Sequence, residues 1–579
     1  MKRAGHWTIL TVMLLAIYAV ILGGTFSDYG ITWDEAGHAE YGAEVIRWYQ
    51  SGFQDRAALG HPRYRNLGSL FDIPPALVAK ATGFDLYEMR HLFGAFFGLL
   101  GVVFTALLAG RLAGARAGFF AALILLLNPV FYGHAPNNPK DIPFAALSVA
   151  SLYYIVVAIR HMPRLPPGLV IKLGIAIGLT LGIRIIGLTL LLYLGGAFLL
   201  WLLFQLLPAR AEPLKDVTPQ RAVPAFAGRF AAVAALAILT MLPWWPSLQV
   251  NPLSHLRETL RLVWHFPWNL PVLFEGRQIP AGDLPWYYLP KSLLISLPEF
   301  YLLLLLAGLV LGILMLVRRG SHYRPYDSER WIAGILLAVA VLFPAGSQIL
   351  RGALVYDGWR HFLFIAPVLA VALGWILSAL IGRSSPGWLK YPVAALVAAS
   401  MLLTAYEMIR LHPYQSIYYN HVFGGGVREA AQSYETDYWG SSYKEGVEWI
   451  QRHYDGGDTA QSLKVASCSH QLSTTHYLTE PGFEYVGTFD HLREHPDLFL
   501  ATTRWNCHER LDGKVVHVVS RLGAPILYVK EIAPKDSRDV TPQSGTSQGP
   551  QGRIPLPRPS WEDGPPVHRG PARSSGGAP

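Results

Sequence analysis

The sequence predicts a polytopic α-helical membrane protein with a small α/β domain at its C-terminal end. Three observations carry this. Of 579 residues, 52% are hydrophobic and only 15% charged, where a soluble globular chain carries about 25%. Apolar runs near the ~20 residues that cross a bilayer as helix recur as far as residue 410. Beyond residue 411 the runs shorten and alternate with charged and turn residues, the pattern of a soluble fold. The net charge of +9 requires no nucleic acid. Cytoplasmic loops of membrane proteins collect Lys and Arg, and no basic cluster with interleaved aromatics is present.

The chain opens with MKRAGHW and a long apolar run. No small-residue cleavage site ends that run, so it reads as an uncleaved first helix entering from the cytoplasm. There are about eleven candidate spans of bilayer length, at roughly 8–26, 90–111, 115–132, 142–160, 168–184, 186–207, 228–247, 292–317, 331–349, 361–382 and 390–410. With the N-terminus inside, every inner loop is basic: Arg111 and Arg116; Arg160 and Arg164; Arg210, Lys215, Arg221 and Arg229; Arg318, Arg319, Arg324 and Arg330; Arg383 and Lys390. This is the bias of cytoplasmic loops, and it puts the C-terminal part outside. The outer segments are long, aromatic and Pro-rich. Within the first, GHPRYRNLGS and FDIPPALVAKATG read as short interfacial helices.

Residues 1–410 thus form a membrane domain and 411–534 a soluble domain on the outer face. In the latter, YKEGVEWIQRHY has helical periodicity, and KVASC, LFLATTRW, VVHVVS and PILYVKE read as strands. Both cysteines of the chain, Cys468 and Cys507, lie there. An oxidising compartment permits a disulfide between them, and two unpaired buried thiols are the alternative. Residues 535–579, rich in Pro, Gly and Ser, read as a disordered tail.

The stretch GITWDEAGH places Asp34 and Glu35 where the chain leaves its first span. Ionised groups near lipid are costly and tend to mark function, although an acidic pair also suits a solvated helix start. The outer face offers further carboxylates, notably Asp72, Asp141, Glu275, Asp283 and Asp357. Its cations include Arg63, Arg65, Lys140, Arg277, Lys291, Arg351 and Arg360, and its histidines His38, His61, His134, His265 and His361. A carboxylate beside cations at the bilayer edge suits a lipid phosphate held by Arg and Lys while the carboxylate activates an acceptor. Asp34, Glu35 and Asp141 are hard oxygen donors suited to a divalent cation such as Mg²⁺ or Mn²⁺, and metal use stays open. No HExxH or CxxC spacing argues for zinc.

The motifs resemble those of the GT-C membrane glycosyltransferases, above all the protein O-mannosyltransferases of family 39 and the lipid A aminoarabinose transferases. Trp33-Asp34-Glu35 after the first span is similar to their first-loop acidic motif. Asn138-Pro139-Lys140-Asp141 resembles their second acidic site, and DGWRHFLFIAPVLA, Asp357 to Ala370, the Arg-His segment that opens a late helix. HPYQSIYYN and YETDYWGSSYKEGVEWI resemble the segment after the last helix in bacterial relatives. The likeness covers most of residues 1–450. The chain departs from the eukaryotic O-mannosyltransferases in that the loop from Gln249 to Lys291 is too short for a large inserted domain, which favours a bacterial inner-membrane protein.

The resemblance implies transfer of a sugar from a polyprenyl-phosphate donor, with inversion, to a lipid, glycan or protein acceptor on the outer face. It implies Asp34 as general base, Glu35 as its neighbour for orientation, sugar contact or metal, and Asp141 as a second acid. Lys140, Arg360, His361 and Arg63 would hold the donor phosphate. Such a site fits the chemistry, because a phosphate leaves as a stable anion and only the acceptor needs a base. Each residue also has a plainer structural reading. Asp141 can cap the next helix, since Pro143 follows in its first turn; Lys140 can snorkel to the headgroups; Arg360 can be an interfacial anchor. The alternative function is a transporter or flippase for a lipid-linked or anionic substrate, but no repeated halves are visible.

Overall fold

The computed structural model describes residues 5–206, 218–264, 266–318, 328–352, 354–382, 386–454, 462–468 and 471–533. The tail read as disordered, 535–579, and the loop residues Arg210, Lys215, Arg319, Arg324 and Arg383 lie outside the described residues. In chain order the principal helices are α1 His6–Thr25, α2 Trp33–Gln50, α3 Leu86–Ala113, α4 Ala115–Leu126, α5 Asp141–Ile159, α6 Pro167–Leu181, α7 Thr189–Leu206, α8 Pro219–Met241, α9 Glu299–Arg318, α10 Ser328–Arg351, α11 Ile365–Leu380, α12 Gly387–Leu411 and α13 Tyr443–His453. Every segment expected to span is helical. Among the described residues, seven helices are long and apolar enough to cross a membrane, and an eighth if the bent pair Tyr288–Ser296 and Glu299–Leu314, at 103°, is one span. Helices α4, α6 and α11 are apolar but shorter.

Burial divides these helices. α5 is buried at nearly every position and forms the centre of the bundle. α1, α8, α10 and α12 bury a single stripe and leave large apolar side chains outward, Val20 at 76% and Leu402 at 72% exposed among them. A contiguous apolar surface of this extent is stable against hydrocarbon, not water. The chain is a multi-pass membrane protein.

Small residues bring the site's loop close. α3 packs on α4 and α5. A Cβ at Gly94 would lie 2.2 Å from the Pro136 carbonyl oxygen, and one at Gly98 2.7 Å from Ala135 Cβ. These glycines let the Ala135–Lys140 loop lie against α3, as small residues do at membrane helix interfaces.

The segment after α12 ties the outer end of the bundle together. Asn420 Nδ2 donates to the carbonyls of Leu294 and Leu297 at 2.6 and 2.8 Å. These carbonyls sit at the sharp bend before α9, where the helix leaves them without partners. In the loop before it, β1 Pro271–Phe274 and β2 Arg277–Pro280 form a hairpin, with Glu275 and Gly276 both left-handed as a two-residue turn requires.

The C-terminal sheet contains β3 Leu463–Ser467, β4 Phe483–Thr488, β5 Leu498–Thr502, β6 Lys514–Arg521 and β7 Ala524–Glu531, in the order β4-β3-β5-β7-β6. β3 runs parallel to β4 and β5, and β5, β7 and β6 pair antiparallel. α13 packs its Val447 and Ile450 face on this sheet, and Gly446 leaves room for Leu500 and Leu527. Four of the five strands match the expected ones. The fifth, β4, is not among them, although Phe483, Tyr485, Val486 and Thr488 favour extended backbone; Gly487 at φ 129 interrupts the run. Cys468 and Cys507 are disulfide-bonded, with Cα atoms 6.1 Å apart, which settles that alternative.

Candidate active site

The acidic pair after the first span begins α2, a helix of 18 residues. Thr32 and Glu35 form a capping box: the Thr32 amide donates to the Glu35 carboxylate at 2.8 Å. His91 Nε2 lies 3.2 Å from the same carboxylate. Glu35 therefore serves its own helix start. Asp34, one residue earlier, turns the other way, to Lys140 Nζ at 2.6 Å and Arg63 Nη2 at 3.3 Å. Its side chain is 4% exposed. Burial alone would raise the Asp34 carboxyl, but Lys140, Arg63 and Arg360 outweigh it and hold it well below the usual carboxylate range.

Lys140 and Asp141 are delivered by the turn before α5. Asn138 Oδ1 accepts from the amides of Lys140 and Asp141 at 3.3 and 2.8 Å, so Asn138 supplies the cap expected of Asp141. The Asp141 carboxylate is thereby free to pair with Arg184 at 2.5 Å and Arg360 at 3.3 Å. Arg184 stands where the backbone breaks between α6 and α7. Arg360 Nε and Nη2 both donate to Asp357 Oδ2, at 3.1 and 2.9 Å. The other Asp357 oxygen accepts from Arg504 Nη2 at 3.0 Å. Arg184, Asp141, Arg360, Asp357 and Arg504 thus form one row of alternating charge.

The crevice beside Asp34 has aromatic walls. Trp33, Trp268, Tyr356, Trp439 and Trp505 line it together with Arg63 and Arg360. Trp268 stacks on Tyr356 at 4.8 Å, and the Arg360 guanidinium lies 4.7 Å over the Trp439 ring. Flat apolar faces beside fixed polar groups suit a sugar ring. A second hollow on the far side of Asp357 and Arg360 is lined by Tyr288, Tyr434, Glu435 and Tyr438. Burial pushes Glu435 up to about 7, against the opposing pull of Arg504.

Of the residues expected at the site, the fold gathers Asp34, Lys140, Asp141, Arg63 and Arg360. His361 lies edge-on to Tyr356 at 4.7 Å, beside the site. Of the aromatics in the Gln249–Lys291 loop, Trp268 lines the crevice, whereas Trp286 is 71% exposed. The three carboxylates suggested for a metal have other partners in the structure: Asp34 two cations, Glu35 its cap and Asp141 two arginines. Among the described residues no three His, Cys, Asp or Glu gather to hold a metal ion. Sequence reasoning missed Arg504 and Trp505, which come from the turn after β5 of the C-terminal sheet, and gave Arg184 no role in the site. The charged ends of α3 and α5 away from this site meet at Glu329, which pairs with Arg111 and with Arg160 at 2.9 Å.

Residues 76–219 match the family described as dolichyl-phosphate-mannose-protein mannosyltransferase. That stretch includes Lys140, Asp141 and Arg184, and it bears out the resemblance read from the motifs. No curated protein matches the chain. Among solved structures, ArnT from Cupriavidus metallidurans is 14% identical over 91% of this chain and 99% of that one, with a TM-score of 0.46, both in the apo state and bound to undecaprenyl phosphate. The Archaeoglobus fulgidus oligosaccharyltransferase in its apo form is 14% identical over 85% of this chain and 65% of that one, with a TM-score of 0.47.

Proposed function

We propose that the chain is an integral-membrane glycosyltransferase that moves a sugar from a polyprenyl-phosphate donor to a hydroxyl of a lipid, glycan or protein acceptor. The observation that carries this is the placing of Asp34: a buried carboxylate held by Lys140 and Arg63, in an aromatic-walled crevice that Arg360 also enters. One carboxylate and a group of cations at the ends of membrane helices are what transfer from a lipid phosphate asks for. The match over residues 76–219 supports the same reading.

In the reaction, Asp34 takes the acceptor O–H proton as the acceptor oxygen attacks the anomeric carbon. The bond from that carbon to the phosphate oxygen breaks on the opposite face, which inverts the centre. The electron pair leaves on the phosphate, stabilised by Lys140, Arg63 and Arg360. No general acid is required, so the site needs no carboxyl pair of the glycosidase kind. Asp141 holds Arg360, and Glu35 holds the turn that aims Asp34. The charges sit at helix ends and not along the spans, which favours an enzyme over a transporter.

The N-terminus lies on the cytoplasmic side of a bacterial inner membrane and the site on the outer face. The basic inner loops support this orientation, as does the Cys468–Cys507 bond, which fits an oxidising compartment. The test is transfer in proteoliposomes, with radiolabelled polyprenyl-phosphate sugars and a membrane extract as acceptor. Wild type should release label from the donor, and Asp34→Asn, at equal folded yield, should do so about 10²–10⁴-fold more slowly, the usual contribution of a general base. Equal rates would remove Asp34 as the base.

A further inference from the structure

The C-terminal domain reaches into the candidate site through one short turn. After β5 the chain forms Arg504–Glu509, in which Trp505 and Asn506 take left-handed angles, φ 54 and 53. Non-glycine residues there cost about 1 kcal/mol or more each and persist only where the surroundings hold them. Two ties hold this turn. Cys507 is bonded to Cys468 at the end of β3, and Trp505 Nε1 donates to the Pro271 carbonyl of the hairpin at 3.0 Å. The turn aims Arg504 inward, where it donates to Asp357 and to the Tyr438 carbonyl, 3.5 Å from Glu435. It also sets Trp505 edge-on to Trp33, the residue before Asp34, at 5.8 Å.

The charge row explains what Arg504 is for. Arg360 stands between two carboxylates, Asp141 and Asp357. Left alone with both, its positive charge would be more than cancelled and a phosphate would be repelled. Each flanking carboxylate instead has its own outer cation: Arg184 on Asp141, Arg504 on Asp357. These five residues together keep one net positive charge with Arg360 at its centre, and Glu435, 3.5 Å from Arg504, is pushed by burial towards its neutral form. Asp357 also fixes the guanidinium plane, because one of its oxygens takes both Nε and Nη2.

We infer that Arg504 is a positioning residue for the proposed transfer: acting through Asp357, it keeps Arg360 oriented and positively charged for the donor phosphate, and the Cys468–Cys507 bond holds Arg504 in place. This rests on the glycosyl-transfer reading. The soluble domain is then part of the site and not an appendage.

The experiment uses the full chain in nanodiscs, with sugar-free polyprenyl phosphate as binding probe and the sugar donor for kinetics. Folding is followed by melting temperature. Arg504→Gln should weaken polyprenyl-phosphate binding about tenfold or more and raise the donor KM in proportion, with kcat changing less. Arg504→Lys, which keeps the charge and safeguards the fold, should recover most of that loss. The double substitution Cys468→Ser/Cys507→Ser changes no charge in the site and should shift binding the same way. Unchanged binding and KM in folded Arg504→Gln, or an equal loss in Arg504→Lys and Arg504→Gln, would overturn the inference. Wild-type binding by the cysteine variant would overturn the role of the disulfide. If wild type itself binds no polyprenyl phosphate, the glycosyl-transfer reading falls, and this inference with it.

Discussion

Replacing Lys140 by Met removes the cation nearest Asp34 while keeping the bulk of the side chain. The two groups lie 2.6 Å apart with side chains 14% and 4% exposed. Charges about 4 Å apart attract by about 4 kcal/mol at an effective dielectric near 20. Desolvation of both ions offsets much of that, so the intact pair adds little net stability. Breaking it from one side is different. An uncompensated buried charge costs about 3–5 kcal/mol, and here Arg63 still holds one Asp34 oxygen at 3.3 Å. We expect Lys140→Met to lose about 2 kcal/mol, below that range because Arg63 still compensates part of the Asp34 charge. The double variant Asp34→Asn/Lys140→Met should recover more than half of it. The assay is a double-mutant cycle by thermal or chemical unfolding in detergent, read at several pH values. The sign follows from linkage. Asp34 is held well below its usual range, although burial alone would raise it. Its ion pairing therefore stabilises the fold above the unfolded carboxyl's pKa, near 4, and is lost as pH falls through the lower folded value. Wild type and Lys140→Met should differ most near neutral pH and converge in acid. The donor KM should rise about 10–100-fold, the worth of one charge-assisted hydrogen bond to phosphate. Additive effects in the cycle, or a difference independent of pH, would refute the coupling of Lys140 to an ionised Asp34.

Glu35→Ala should cost about 1–2 kcal/mol of stability, as loss of a helix cap does, while transfer per folded molecule stays within about threefold of wild type; melting temperature and kcat measured together separate the two. A loss of about a hundredfold in kcat at normal stability would return Glu35 to the chemistry. Glu435, facing Arg504 and Asp357 and accepting from the Leu273 amide, is raised by burial from 4.5 to about 7. Between those values the folded state binds more protons than the unfolded one, so stability falls as pH rises through that window. Glu435→Gln should flatten this part of the profile of melting temperature against pH, and an unaltered slope would count against a protonated Glu435.

The membrane helices were legible because spanning lipid demands one long apolar run per helix, and each expected run is helical. Asp34, Lys140, Asp141 and Arg360 were also legible, because each stands where a helix begins or leaves the bilayer and a charge there needs a reason. Which of its expected roles Glu35 takes was not legible, because two adjacent carboxylates look alike in sequence. Which of them turns back to Thr32 and which faces Lys140 is set by the helical step between them. Asp357 looked like one more outer carboxylate: Asp357-Gly358 marks a turn, but only the fold shows that this turn, at φ 56, presents Asp357 to Arg504 as well as to nearby Arg360. Arg504 carried no signal at all. It lies between a strand and a cysteine in a domain whose contact with the bundle is a matter of tertiary packing, and Arg504 and Asp357 are 147 residues apart.

The resting site is saturated with its own counter-ions, and this bears on the order of events. With Lys140 and Arg63 on Asp34, the carboxylate is a weak base, because a proton arriving there must displace two cations. In the proposed reaction a donor phosphate entering the crevice would compete for the same cations, Arg being suited to it by its fork and Lys by its point charge. As the phosphate draws them away, Asp34 loses the groups that depress it, while burial, which raises it, persists. The base strengthens when the leaving group is in place. Before the donor binds, an acceptor hydroxyl or a water meets a carboxylate that is already paired. On this reading the lysine and arginine that neutralise the departing phosphate also restrain the base, and donor binding precedes proton abstraction because the two steps draw on the same cations.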